Sequence, residues 1–471
     1  MSVTGTLALA LIGLVALTLG LAIGQRHRTT TAEDFLVAGR RLSWPMATAT
    51  LFATWFGAGT LLTATDEIHA SGLSAVALEP LGAGLCLVVA GVGFARPLWR
   101  MRLLTLGDFF AQRFGARAEK VASAVMVPSY FGWIAVQFLA LAKLLDHFFG
   151  LPIPAGVGLV CIVGVSYALI GGMWTVVITD AVLVGVIAFG LLVLGGGVLV
   201  KLGETASSPW AALVQTLPAG HGRLIGSRGT GELTSWLGVL FVGCLGNLPG
   251  QDLLARIFSA RSERAAAVAC TVAGGLYIGL GCVPVLAGLA AHALVGDQPA
   301  SGVLLAVAAT VFSPAMTVVF VVAIAATVLS TIDSAILSPA TVIAQNLWQG
   351  SDATVVARTR VCIVGVAGTG AALALVGESA YALLESAYEL GLTGLFVPLT
   401  WGLFGRRRSE GAALAAMLVG SASWAVHYAA GWSAFAGVET PVRMPTSLAG
   451  AGLSALAYVG VAWLTRRRAA R

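Results

Sequence analysis

Apolar runs of about twenty residues recur along this chain, the length that crosses bilayer hydrocarbon as a helix. In that solvent every backbone N–H and C=O must find its partner within the structure, and a helix supplies those partners inside one segment. A β-barrel would show short alternating strands, and these runs do not alternate. Thirteen spans are expected, at residues 3–23, 44–70, 73–95, 121–145, 155–172, 175–200, 232–252, 266–291, 316–347, 359–377, 380–404, 411–431 and 447–464. With 58% hydrophobic and 10% charged residues, the 471-residue chain lies outside the range of soluble proteins. The fold class is an all-α polytopic membrane protein. The first run lacks a basic leader and is long, so it reads as a retained span, not a signal peptide.

The basic residues orient these spans. With the N-terminus outside, 22 of the 27 Lys and Arg fall in cytoplasmic loops, among them Arg26, Arg28, Arg40, Arg41, the Arg96–Lys120 group, Arg256, Arg358, Arg406–Arg408 and Arg466–Arg471. Lys143, Lys201, Arg223, Arg228 and Arg443 remain outside. That asymmetry is the positive-inside pattern and puts the C-terminus in the cytoplasm, most simply of a bacterial inner membrane. The net charge of +6 therefore reports topology and gives no sign of nucleic-acid binding. The six cysteines all sit in apolar runs without metal-ligand spacing, as small buried hydrophobes. No nucleophile–base set and no metal cluster is visible, so neither an enzyme nor a cofactor is expected.

One stripe carries the chemistry. In TVLSTIDSAILSPATVIAQNLW, Thr327, Ser330, Thr331, Ser334, Ser338, Thr341 and Gln345 follow steps of three and four on one helix face, with Asp333 beside them. Hydroxyls in membranes often bond back to their own helix or to a neighbour. A carboxylate at this depth costs about 2.5–3.5 kcal/mol on insertion scales. A row of hard oxygens with one negative charge suits a small hard cation.

Two spans are interrupted. FATWFGAGTLL breaks at Gly57 and Gly59, and GCLGNLPGQD breaks at Gly243, Gly246, Pro249 and Gly250. Small residues also serve close helix packing. Matched breaks in the second and seventh spans point to an inverted-repeat transporter with its site at the breaks. The domain plan is one transporter domain over 1–471. An extra span and cytoplasmic loop occupy 1–43, the first repeat and outer loop 44–231, the second repeat 232–405, and two further spans with a basic tail 406–471. Residues 301–313 have the pattern of a short outer helix. The tail after Leu464, seven residues, is too short for a signalling module.

Other polar groups admit two placements each. Asp180 and Glu79 are either interfacial or part of a buried site. Asp252 and Arg256, four apart, read as an interfacial pair. Glu385 and Glu389 are shallow residues or an acidic vestibule. Trp55 and Trp133 belong to the core or belt, or to a cation–π cage.

The motifs TAEDFLVAGRRLSWP, ATWFGAGT, GGMWTVVITD, LPGQDLLARIFSARS and LSTIDSAILS together resemble the sodium:solute symporter family, over residues 31–350 and, by span plan, to about 405. Within it, ATWFGAGT, FARPLWRMRLLTLGDFF and STIDSAILS are most similar to the high-affinity choline transporter branch. The resemblance implies a five-plus-five inverted repeat with one extra N-terminal and two extra C-terminal spans. It implies a sodium site at Ala53, Phe56, Thr327, Ser330 and Thr331, where the family usually has alanine at the Thr327 position. It implies a second sodium set at Asp180, Ser330, Asp333 and Ser334, with Ile178 and Leu183 departing from the family pattern nearby. It places the solute at Trp55, Gly57, Glu79, Trp133, Asn247, Gly250 and Gln251. Gly250 stands where the choline branch has a third caging tryptophan, so a compensating aromatic or a different solute is expected. The function implied is sodium-coupled import of a small organic solute, a choline-like amine or an amino acid, with the bilayer and sodium as partners and a monomer sufficient. A transporter-like sensor and a proton-coupled symporter are the alternatives.

Overall fold

The computed structural model describes residues 3–25, 31–225, 230–296, 302–348, 350–351, 354–376, 379–406, 408–438 and 444–469. Arg26, Arg28, Arg228, Arg407, Arg443 and Arg471 lie outside the described residues.

All of the regular structure among the described residues is helical. The chain begins with α1 (Val3–Gln25) and a short α2 (Ala32–Val37). A broken segment follows, α3 (Trp44–Trp55) and α4 (Ala64–Ser71). Next come α5 (Leu73–Arg100), α6 (Leu106–Phe114), α7 (Ala116–Phe149), α8 (Ile153–Ile170) and α9 (Gly172–Thr205). After α10 (Pro209–Thr216) a second broken segment consists of α11 (Thr230–Leu245) and α12 (Gln251–Ser259). Then follow α13 (Glu263–Leu294), α14 (Val303–Val311), α15 (Pro314–Val342) and α16 (Val355–Ala374). The chain closes with α17 (Ala380–Leu390), α18 (Val397–Phe404), α19 (Glu410–Ala430) and α20 (Thr446–Ala469).

Among the described residues, ten helical stretches are long and apolar enough to cross a bilayer. The expected spans outside that set are 44–70 and 232–252, each made of shorter pieces, and 380–404, a helix that runs on through a wide turn at Gly391–Phe396. Helical geometry fails at Phe56 (φ −81°, ψ 60°), at residues 246–250, and at Glu79 inside α5 (φ −135°, ψ 128°). The short outer helix expected near 301–313 is α14.

Burial is inverted relative to a soluble protein. Leu9, Ile12, Ile162, Phe189, Leu192 and Leu456 are exposed on the outer faces, while Asp180, Gln251, Arg256 and Thr331 are buried. Lipid accepts the apolar faces, so the polar groups must collect inside. The most buried long helix is α15, whose residues from Ala323 to Val342 are all buried.

The second break packs against the helix after α17 through glycine. A Cβ on Gly391 would lie 2.1 Å from the Gly246 carbonyl oxygen, so only glycine permits that approach. Gly391→Ala is expected to lower stability by about 1–3 kcal/mol through forced separation of these backbones. Thermal unfolding in detergent measures it, and an unchanged midpoint would refute the packing argument.

Motifs distant in sequence also converge. Thr31 caps α2 through Asp34 in a reciprocal box. Arg40 then donates to the Leu103 carbonyl at 2.9 Å, and the Leu42 and Ser259–Arg261 backbones pair. TAEDFLVAGRR and LARIFSARS thus brace each other beside α12.

Candidate functional site

The end of α3 meets the middle of α15. Thr331 Oγ1 lies 3.3 Å from the Ala53 carbonyl oxygen and 3.1 Å from that of Thr327. Ala53, Thr327 and Thr331, three of the residues expected to bind sodium, therefore present oxygens to one another. Phe56 is the residue where α3 leaves helical geometry. Ser330 turns toward α9 and donates to Asp180 Oδ1, while Thr50 donates to Asp180 Oδ2 at 2.5 Å. Gly57 borders this cluster and not the solute cleft, because a Cβ there would lie 2.7 Å from Thr331 Oγ1 and 2.9 Å from Gln137 Oε1. Gln137, which sequence reasoning missed, accepts from the Ala58 N–H at 3.0 Å and so holds the break open.

The hydroxyl stripe divides by role. At its ends, Thr327 and Ser338 donate back to Ala323 and Ser334, as local back-bonding does. Its middle members, Ser330, Thr331 and Ser334, reach other helices. Asp333 faces away from Ser334 and lines a separate cavity with Thr18, Tyr167 and Thr179, beside α1 and α9.

Arg256 overturns the interfacial reading of Asp252 and Arg256. Its side chain is fully buried, with Nη2 donating to Ser334 Oγ at 2.5 Å and to Thr54 Oγ1 at 2.7 Å, and Nη1 to the Asp252 carbonyl at 3.1 Å. Its charge interacts with Asp180, Asp252 and Asp333 together. Ser334 is thereby separated from the second sodium set, and only Asp180, Ser330 and Asp333 remain near one another.

The two breaks enclose an aromatic cleft. Trp55, Tyr130, Trp133, Tyr277 and Tyr388 line it with Glu79, Asn247, Gly250 and Asp252. Trp55 Nε1 donates to Asp252 Oδ2 at 2.6 Å, and the Tyr130 hydroxyl to Oδ1 at 2.5 Å. Tyr277 donates to Glu79 Oε2 at 2.6 Å, and the Thr60 hydroxyl donates to the same oxygen at 3.0 Å. Glu79 is therefore buried in the cleft and not interfacial. The tyrosines answer the missing wall at Gly250. They lie in α7, α13 and α17, whose faces show no periodic signal distinguishing them from core aromatics. Two carboxylates among aromatic rings suit a small organic cation, through ring faces and through charge.

Gln251 does not reach this cleft. It is buried on the opposite side, where Oε1 accepts from the Leu106 N–H at 2.8 Å and Nε2 donates to the Leu104 carbonyl at 3.1 Å. It ties α12 to the loop before α6. Glu385 and Glu389 sit half-buried, and Glu389 accepts from Thr446 on α20 at 2.7 Å.

Comparison with known proteins gives the family and the fold. The profile described as "SSF: Sodium:solute symporter family" matches residues 35–420. The high affinity choline transporter 1 of Homo sapiens is 25% identical over 85% of this chain and 73% of its own. The sodium/pantothenate symporter of Escherichia coli (strain K12) is 26% identical over 86% of each. The substrate-bound, outward-open structure of a Na+-coupled sialic acid symporter shares the fold, with a TM-score of 0.81 over 98% of each chain at 16% identity.

Proposed function

This chain belongs to the sodium:solute symporter family, a family of membrane transporters, and on that premise we propose that it imports a small choline-like organic cation with sodium. The observation carrying the choice of solute is the cleft in which Trp55, Tyr130, Trp133 and Tyr277 surround Glu79 and Asp252. A quaternary ammonium has no N–H to donate, so ring faces and nearby carboxylates are the groups that recognise it.

The rest of the proposal follows the sequence. Thirteen spans cross the membrane, with the second and seventh broken into two helices each. The core is a five-plus-five inverted repeat, preceded by one span and followed by two. The N-terminus is outside, the C-terminus is in the cytoplasm of a bacterial cell, and one chain suffices.

Sodium is assigned to the oxygens of Ala53, Phe56, Thr327, Ser330 and Thr331. Bound there, it bridges the end of α3 to α15 and favours the state open to the outside. Solute then closes the outer side, and both leave inward. Each sodium falling through 100 mV supplies about 2.3 kcal/mol, enough for roughly fiftyfold accumulation. A second ion at Asp180, Ser330 and Asp333, without Ser334, completes the proposal. Its expected result is a Hill coefficient of about two for uptake against sodium.

Uptake into proteoliposomes tests the whole. Labelled choline should enter only with an inward sodium gradient. Uptake that ignores sodium and follows a pH gradient would replace sodium by protons. Trp133→Ala is expected to raise KM for choline by about tenfold, from loss of one cation–π wall worth up to about 2 kcal/mol. An unchanged KM would discard the aromatic cage and keep the mechanism.

A further inference from the structure

A large cavity far from the transport site opens between the ends of α18, α19 and α20. It has a volume of about 800 Å³ and is lined by Trp401, Arg406, Arg408, Tyr458, Trp463 and Arg466, among others. None of its described lining residues is acidic. The nearest acid in sequence, Glu410, is engaged elsewhere, accepting from the Arg117 backbone N–H at 3.3 Å. Among the described residues, no carboxylate pairs with Arg406, Arg408 or Arg466.

Two further groups beside the cavity lack partners among the described residues. Tyr458 is 2% exposed, with its ring 5.5 Å from Trp401 and 6.4 Å from Phe114. Its hydroxyl is buried with no hydrogen-bond partner. On α6, Arg113 has a buried, unpartnered Nε, and the charge of Arg408 bears on it. The clustered like charges of Arg406, Arg408 and Arg466 carry a cost that an anion in the cavity would relieve.

The walls say which anion. Trp401, Val459, Ala462 and Trp463 form apolar sides beneath the basic rim, and Arg467 stacks over Trp463 at 3.8 Å. Leu456, Val459 and Leu464 continue this apolar track along the exposed face of α20. A free phosphate would use the rim and waste the walls. Basic pockets between membrane helices, with apolar sides leading into the bilayer, suit a headgroup that brings its own chains.

We propose that this cavity binds an anionic phospholipid, its phosphodiester held by Arg406, Arg408 and Arg466, and its acyl chains on the α20 track.

The test is native mass spectrometry of the purified full-length protein, titrated with phosphatidylglycerol and phosphatidylcholine in equal amounts. The wild type should retain phosphatidylglycerol with about tenfold preference. The triple variant Arg406→Gln, Arg408→Gln, Arg466→Gln should lose that preference. In parallel, phosphatidylglycerol should raise the thermal midpoint of the wild type by several degrees and inorganic phosphate should not. Equal retention of both lipids by the wild type would overturn the site, whatever the variants do. Undiminished preference in the triple variant, or a phosphate shift matching the lipid shift, would also overturn it.

Discussion

Arg256→Ala is expected to destabilise the protein by about 3–5 kcal/mol, the cost of removing one partner from a buried set of charges. The guanidinium donates to Thr54 and Ser334 and, with no carboxylate within 4 Å among the described residues, is the buried positive charge that Asp180, Asp252 and Asp333 feel from farther away. Without it, these acids stay buried with no cation, and two hydroxyls lose a donor. Arg256→Lys retains the charge but not the fork that reaches Thr54 and Ser334 at once, so it should recover part of the loss. Thermal unfolding in detergent reads both variants. Wild-type midpoints for both would mean that Arg256 is solvated and that its burial carries no energy.

Ser330→Ala with Thr331→Ala is expected to abolish sodium-dependent uptake while leaving the fold intact. Both are small-to-smaller changes within α15, so little packing is lost. What disappears is the hydroxyl facing the Ala53 and Thr327 carbonyls and the hydroxyl facing Asp180. A hard cation deprived of two of its oxygens has no compensation in a dry interior. Normal sodium-driven uptake by the double variant would sink the sodium site. An unfolded variant, visible as loss of its thermal transition, would be distinguished by that same measurement.

The helical membrane class and the polar seam of α15 were legible because both depend on local order. Apolar length reports a span, and steps of three and four put Thr327, Ser330, Thr331 and Ser334 on one face. Gly57 and Gly250 marked the breaks for the same reason, since a backbone that must leave helical geometry shows it in residue type. Orientation of side chains between helices was not legible. Asp333 and Ser334 are adjacent in sequence, yet one faces the cavity beside α1 and the other faces Arg256. Gln251 looked like a pocket residue beside the second break, but the helix turn aims it at the 104–106 backbone.

The sequence by itself determined that this chain is a bundle of membrane helices, where two of them break, and which helix carries a polar seam. These follow from the cost of exposing backbone and charge to hydrocarbon, a cost each segment meets alone. Tertiary structure alone decided that Arg256 is a buried counter-ion and not a surface cation. It also decided that Tyr130, Tyr277 and Tyr388 line the same cleft as Gly250. Both outcomes depend on which faces of α7, α12, α13, α15 and α17 meet, and no single segment's pattern encodes what the opposite helix presents.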